Sequence, residues 1–199
     1  MKTRIRKIVI GGVFSALVIV LGLTGLGFIP LPAGAAITIL QAPVIIAAIL
    51  EGPLVGFCIG LLFGIFSLVQ AALAGFTPVD IAFLQHPWLA LVPRILIGPA
   101  AWLVYSLASG SLFNKARKIT AIRESAAIIG GAVAGSLVNT VLVLSGFVLI
   151  LPELITWQVA LAMVSMNGTL EAFFSAGLSL AVILPWKGIS RRGKSKLNE

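Results

Sequence analysis

The sequence predicts an all-α integral membrane protein with six transmembrane helices and both termini in the cytoplasm. Three observations lead there. Hydrophobic residues make up 59% of the 199-residue chain and charged residues 10%, against about a quarter charged in soluble domains. Such a chain cannot cover itself in water, which excludes a cytosolic enzyme, a soluble binding module and a disordered polypeptide. Six apolar stretches recur, at 8–28, 36–50, 54–74, 88–108, 125–151 and 157–185, and five of them have the roughly 20 residues needed to cross hydrocarbon. Of the 14 Lys and Arg, 13 fall in segments that six spans place on one face, cytoplasmic by the positive-inside rule. The chain 1–199 reads as one membrane domain.

The first stretch follows Lys2, Arg4, Arg6 and Lys7. It is too long for a signal peptide, and no cleavage-site pattern follows it. Gly12 and Ala16 give it a small-residue face. The second stretch is short, bounded by Pro30–Pro32 and Glu51-Gly52-Pro53. It still counts as a span, because short helices cross where protein surrounds them, and omitting it would put the basic ends on opposite faces. The third carries Gly56, Gly60 and Gly64, and the fifth Gly131 and Gly135. Four-residue spacing of small residues lets helix backbones approach closely. It reads as internal packing, or on the first helix as docking to another membrane protein. Spans four and five are joined through Lys115, Arg117, Lys118 and Arg123. The tail holds Lys187, Arg191, Arg192, Lys194 and Lys196. The connections 29–35, 75–87 and 152–156 have no basic residue and lie outside. The net charge of +8 therefore reflects topology rather than nucleic acid. The two halves show no convincing repeat, which argues against a transporter built from inverted repeats.

Several chemistries are missing. There is no G-x-x-x-x-G-K-[ST] loop for ATP, and the single histidine, His86, excludes H-E-x-x-H and multi-histidine metal sites. Ser175 and Ser179 have no Gly-x-Ser-x-Gly context or histidine partner. Cys58 stands alone in an apolar run. The residues call for no cofactor and no metal.

What remains is binding chemistry. Arg94, in Val92-Pro93-Arg94-Ile95-Leu96-Ile97-Gly98, is the sole basic residue outside the cytoplasmic segments. An intramembrane arginine costs about 3 kcal/mol or more, so it faces protein or a water-filled cavity. Its fork suits a carboxylate or phosphate; the alternatives are snorkelling outward or pairing with Asp80 or Glu153. Asn139 lies about 20 Å above the cytoplasmic end of its helix and Asn167 about 15 Å below the outer end of the last. Glu171 shares the Asn167 face through i,i+4 spacing. These groups read a ligand's polar atoms or join helices. Thr38, Gln41 and Gln70 also fall in the outer half. Gln85-His86-Pro87-Trp88, with Phe76 and Phe83, closes the long outer loop and can lid a cavity. Trp88 and Trp157 suit an interfacial aromatic belt. Together the polar residues converge on one externally accessible pocket.

At this point the chain resembles a known family. Thr3-Arg4…Lys7 before a small-residue helix is one element. The segment from Thr38 through Gln41-Ala42-Pro43-Val44-Ile45-Ile46 to Glu51-Gly52-Pro53, the Gly56…Gly60…Gly64 stripe and Pro93-Arg94-Ile95-Leu96-Ile97-Gly98 are the others. They resemble the substrate-binding S components of energy-coupling factor (ECF) vitamin transporters, closest to pantothenate-type members. The resemblance implies a multi-pass protein of a bacterial cell membrane that binds a vitamin from outside. It implies partnership with a transmembrane coupling protein and two ATPases, which supply the energy, and toppling in the membrane to release substrate inward. It places the coupling contact at Gly12 and Ala16, where Gly-x-x-x-Ala replaces the usual Ala-x-x-x-Ala. Arg94 would bind a carboxylate, and Asn139 and Asn167 hydroxyl or amide groups. Riboflavin and cobalamin remain alternatives to pantothenate. The rival classes are a stand-alone secondary transporter using Glu171 as its coupling acid, and an intramembrane enzyme or scaffold, against which the lack of a catalytic pair counts.

Overall fold

The structure is a computed structural model that describes residues 2–30, 36–74, 77–112, 120–153 and 155–196. Five helical segments are long and apolar enough to cross a membrane: Arg4–Leu23, Pro53–Leu73, Trp88–Ser109, Ala121–Ile150 and Trp157–Gly188. A sixth apolar helix, Gln41–Glu51, is shorter. In chain order the elements are α1 (Lys2–Leu23), α2 (Gln41–Glu51), α3 (Pro53–Ala74), α4 (Pro78–Gln85), α5 (Trp88–Ser109), α6 (Ala121–Ile150), α7 (Trp157–Met163), a π-helical turn (Val164–Gly168) and α8 (Thr169–Lys196).

Two departures from the sequence reading occur at element boundaries. Residues 36–38, expected to begin the second span, form strand β2 (Ala36–Thr38). It pairs antiparallel with β1 (Phe28–Pro30) in a small hairpin between α1 and α2. A short apolar run with Pro on its flank fits a strand as well as a helix. The connection after α3 contains the helix α4. Thr77 starts it with a capping box, its hydroxyl accepting from the Asp80 N–H while the Asp80 side chain accepts from the Thr77 N–H. Asp80 is therefore occupied locally.

The short α2 sits inside the bundle: every residue from Gln41 to Ile49 is buried. Its apolar side chains join the main core, with Val18, Ile59, Phe63, Ile97, Ile128 and Ile183 from the surrounding helices. Gly52 links α2 to α3 at φ 104°, a conformation that side-chain-bearing residues avoid. A smaller cluster, Ala71, Ala82, Phe83, Leu89, Ala90 and Phe147, joins α4 to α3, α5 and α6 at the end opposite Glu51.

The glycine stripe of α3 packs inside the molecule. A Cβ on Gly60 would stand 2.2 Å from the Arg94 carbonyl oxygen, and one on Gly56 would stand 2.9 Å from the Gly98 Cα. Here α3 and α5 touch backbone to backbone. Gly131 and Gly135 likewise face α5. The small face of α1 differs. Nothing lies within 4 Å of a Cβ on Gly12, and Gly12 and Ala16 are exposed. Among the five long spans α1 is the least covered, 17% of its apolar window being buried against 39–44% for the others.

Candidate ligand-binding site

The site begins with a dipeptide. Pro93 has no N–H, so the helical partner of the Leu89 carbonyl is missing. The next residue fills the gap: Arg94 Nη1 donates to Leu89 O at 3.2 Å. The guanidinium carbon lies 5.1 Å from the Phe83 ring centroid and 5.7 Å from that of Phe63, within cation–π reach of both. Arg94 Nε is buried and makes no hydrogen bond. Among the described residues Arg94 forms no ion pair, with Asp80, Glu153 or any other acid.

Two compartments meet at Thr38 and Arg94. The first, about 160 Å³, is lined by those two with Asn139, Thr140, Asn167 and Glu171 over apolar Val143, Leu144 and Met163. The second, about 330 Å³, adds Phe63, Ser67, Gln70, Ala71, Val79, Asp80 and Phe83. Together they fall within the 300–1,000 Å³ usual for small-molecule sites.

Hydrogen bonds hold the lining in place. Glu171 accepts from the Thr38 N–H at 2.9 Å and from the Thr140 hydroxyl at 2.8 Å, which ties the hairpin, α6 and α8 together. Asn139 Nδ2 donates to Gln41 Oε1 at 3.2 Å. Gln41 Nε2 donates to Ser136 Oγ at 2.7 Å and to Ser175 Oγ at 3.3 Å. The Asn139 and Asn167 Oδ1 atoms are buried and unpartnered. Asn167 lies in the π-helical turn, a distortion often found where a helix aims side chains into a site.

The sequence candidates thus separate. Arg94, Asn139, Asn167 and Glu171 line one compartment and Gln70 the other, where it also donates to Gly22 O at 3.0 Å. Gln41 lies behind the wall, fully buried, and lines neither. His86 caps the end of α4 with its ring edge toward Trp88, 6.5 Å between centroids, and also lines neither. Gly12 and Ala16 lie on the uncovered side of α1. Phe76, Lys115, Arg117 and Lys118 fall outside the described residues. Thr140, Ser136, Phe63 and Ser67 were not singled out from the sequence. For Thr140 the adjacent Asn139 was a usable signal. For Ser136 none existed, since its partner is 95 residues away.

A helical membrane bundle around a charged and hydrogen-bonding cavity defines a small-molecule-binding membrane protein. The family described as "ECF transporter, substrate-specific component" matches residues 6–183, and the chain belongs to it. The chain is 30% identical over 161 residues to the pantothenic acid transporter PanT of Lactococcus lactis subsp. cremoris, covering 73% of this chain and 75% of that protein. It is 44% identical over 95 residues to the pantothenate transporter PanT of Leuconostoc mesenteroides subsp. mesenteroides, covering 45% of this chain and 41% of that one.

Proposed function

We propose that this chain is the pantothenate-binding subunit of an ECF uptake transporter, and that Arg94, Asn139, Asn167, Glu171 and Gln70 contact the ligand. The carrying observation is that Arg94 Nε, Asn139 Oδ1 and Asn167 Oδ1, three buried polar atoms without partners, belong to residues of one cavity. Buried polar atoms without partners cost free energy, and a ligand that supplies the partners recovers it. Pantothenate carries a carboxylate for the arginine, two hydroxyls and an amide for the asparagines, and a gem-dimethyl group for the apolar lining. The names of the two relatives support the same ligand. Cobalamin is far larger than both compartments together. A secondary transporter would need Glu171 as a free acid, and both its oxygens already accept hydrogen bonds. The test is calorimetric titration of the purified protein with pantothenate and riboflavin, with mass spectrometry of any ligand extracted from it. Tight riboflavin binding and no pantothenate binding would replace the substrate.

The same proposal has six spans, α2 among them, with both termini and the 115–123 loop cytoplasmic. Burial of α2 on all sides supports counting it. A cysteine replacing Asp80 reacts with an impermeant reagent in intact cells, and one replacing Lys118 does not; the reverse pattern rejects the orientation. The coupling protein, working with two ATPases, docks on Gly12 and Ala16. The open face there supports this. Ala16→Leu abolishes energised uptake while ligand affinity stays within about twofold, because a branched side chain holds helices apart. An equal loss of both would make the face an internal one.

A further inference from the structure

Of the unpartnered atoms in the smaller compartment, Arg94 Nε is the one donor, and the two asparagine Oδ1 atoms are acceptors. The Asn139 and Asn167 Oδ1 atoms, buried and without partners, belong to two of the compartment's lining residues, and Glu171 adds a carboxylate already accepting two hydrogen bonds. Arg94 is the one cation in the lining. For Asn139 the amide nitrogen is held from behind: Gln41 Oε1 accepts from Asn139 Nδ2, while Gln41 Nε2 donates to Ser136 Oγ and Ser175 Oγ. An amide whose nitrogen is engaged on the far side keeps its oxygen as the polar atom left for the cavity.

We infer that Gln41, backed by Ser136 and Ser175, is a positioning residue that fixes the Asn139 carbonyl toward the cavity, and that the compartment thereby selects ligands presenting hydroxyl donors. The inference rests on the pantothenate reading and deepens it. The two hydroxyls of the ligand face Asn139 and Asn167, and its carboxylate stays at Arg94, on the wall shared with the second compartment. A carboxylate among three acceptors would be repelled. An analogue without hydroxyls would leave both carbonyls buried and unpaired, the situation in which polar sites discriminate most strongly.

The experiment is calorimetry on the purified full-length protein with two probes. One is pantothenate; the other is its dideoxy analogue, with both hydroxyls replaced by hydrogen. The wild-type protein binds pantothenate on the order of a hundredfold more tightly, two hydrogen bonds' worth. Asn139→Ala and Asn167→Ala each reduce that ratio about tenfold. Gln41→Leu reduces it as Asn139→Ala does, and the Gln41→Leu/Asn139→Ala double variant reduces it no further, since a residue acting through another is not additive with it. Should Gln41→Leu fail to fold, Ser136→Ala/Ser175→Ala frees the Gln41 amide and lowers the same ratio. A purely structural role for Gln41 would weaken both probes equally and leave the ratio intact, which overturns the positioning role. A wild-type ratio near one, with pantothenate bound tightly, overturns the inference and spares the substrate. No binding of pantothenate at all removes the substrate reading and the inference with it.

Discussion

The two ends of the bundle treat polar side chains in opposite ways. At the end holding Glu51, Ser109 and the start of α6, charged groups satisfy one another. Lys187 reaches Glu124 at 2.5 Å, and the Tyr105 hydroxyl donates to the same carboxylate at 3.0 Å. The ammonium also lies over the Tyr105 ring, 4.4 Å from its centroid. Arg123 Nε donates to the Ala108 carbonyl at 3.0 Å, and Arg6 pairs with Glu51 at 2.7 Å. These contacts clamp α5 to α6 and α8, and α1 to α2. At the other end Arg94, Asn139 and Asn167 keep buried atoms without partners. Complementary charges at the first end hold the helices together. Incomplete pairing at the second leaves capacity for a ligand.

Removing one group from each end breaks or sharpens this contrast. The largest effect belongs to Arg94→Ala, which takes a charge-assisted bond from the proposed ligand. Pantothenate affinity falls by about 2–5 kcal/mol, roughly thirty-fold to several thousand-fold. The melting temperature drops modestly because the Leu89 carbonyl loses its donor. Arg94→Lys recovers part of the affinity, as an ammonium lacks the planar fork. Unchanged affinity in a folded Arg94→Ala protein would take Arg94 out of the site. Lys187→Met is the counterpart at the satisfied end. It leaves Glu124 buried without its ammonium and costs about 2–3 kcal/mol of stability, below the range for fully buried pairs because the Lys187 side chain is 25% exposed. Ligand affinity stays within about twofold. Denaturation in detergent and calorimetry read the two quantities separately, and an affinity loss matching the stability loss would end the division of labour between the ends. The smallest effect is that of Thr77→Ala. It removes the α4 cap for about 1 kcal/mol, seen as faster amide exchange at residues 79–81 with affinity changed by less than threefold. A larger affinity loss would make α4 part of the binding contact rather than a neighbour of it.

Much of the architecture was legible because it depends on local composition. The apolar stretches gave the long helices, and Glu51-Gly52-Pro53 marked the break after α2. Counting 1.5 Å per residue placed Arg94, Asn139 and Asn167 at depths from which they line one cavity. The hairpin was not legible, since the short, mostly apolar run around Ile37 carries no period that separates strand from helix. The π-helical turn also escaped, because one extra residue in a helical turn leaves no mark on hydrophobic spacing. Gln41 was read as a ligand contact on depth alone. Its place behind Asn139 depends on Ser136 and Ser175, 95 and 134 residues further along, and no pattern within one helix reports such an encounter.

The Pro93–Arg94 step has an entropic consequence. A free arginine side chain samples many rotamers, worth about 2 kcal/mol when they are lost. Here one guanidinium nitrogen stands in for the N–H that proline lacks, and Phe63 and Phe83 flank the group. The side chain is ordered when the helix forms, before any ligand arrives. Its loss of freedom therefore falls on folding, and the proposed ligand would meet a side chain already immobile. A kink-prone proline, ordinarily a weakness in a membrane helix, here lowers the entropy that association has to overcome.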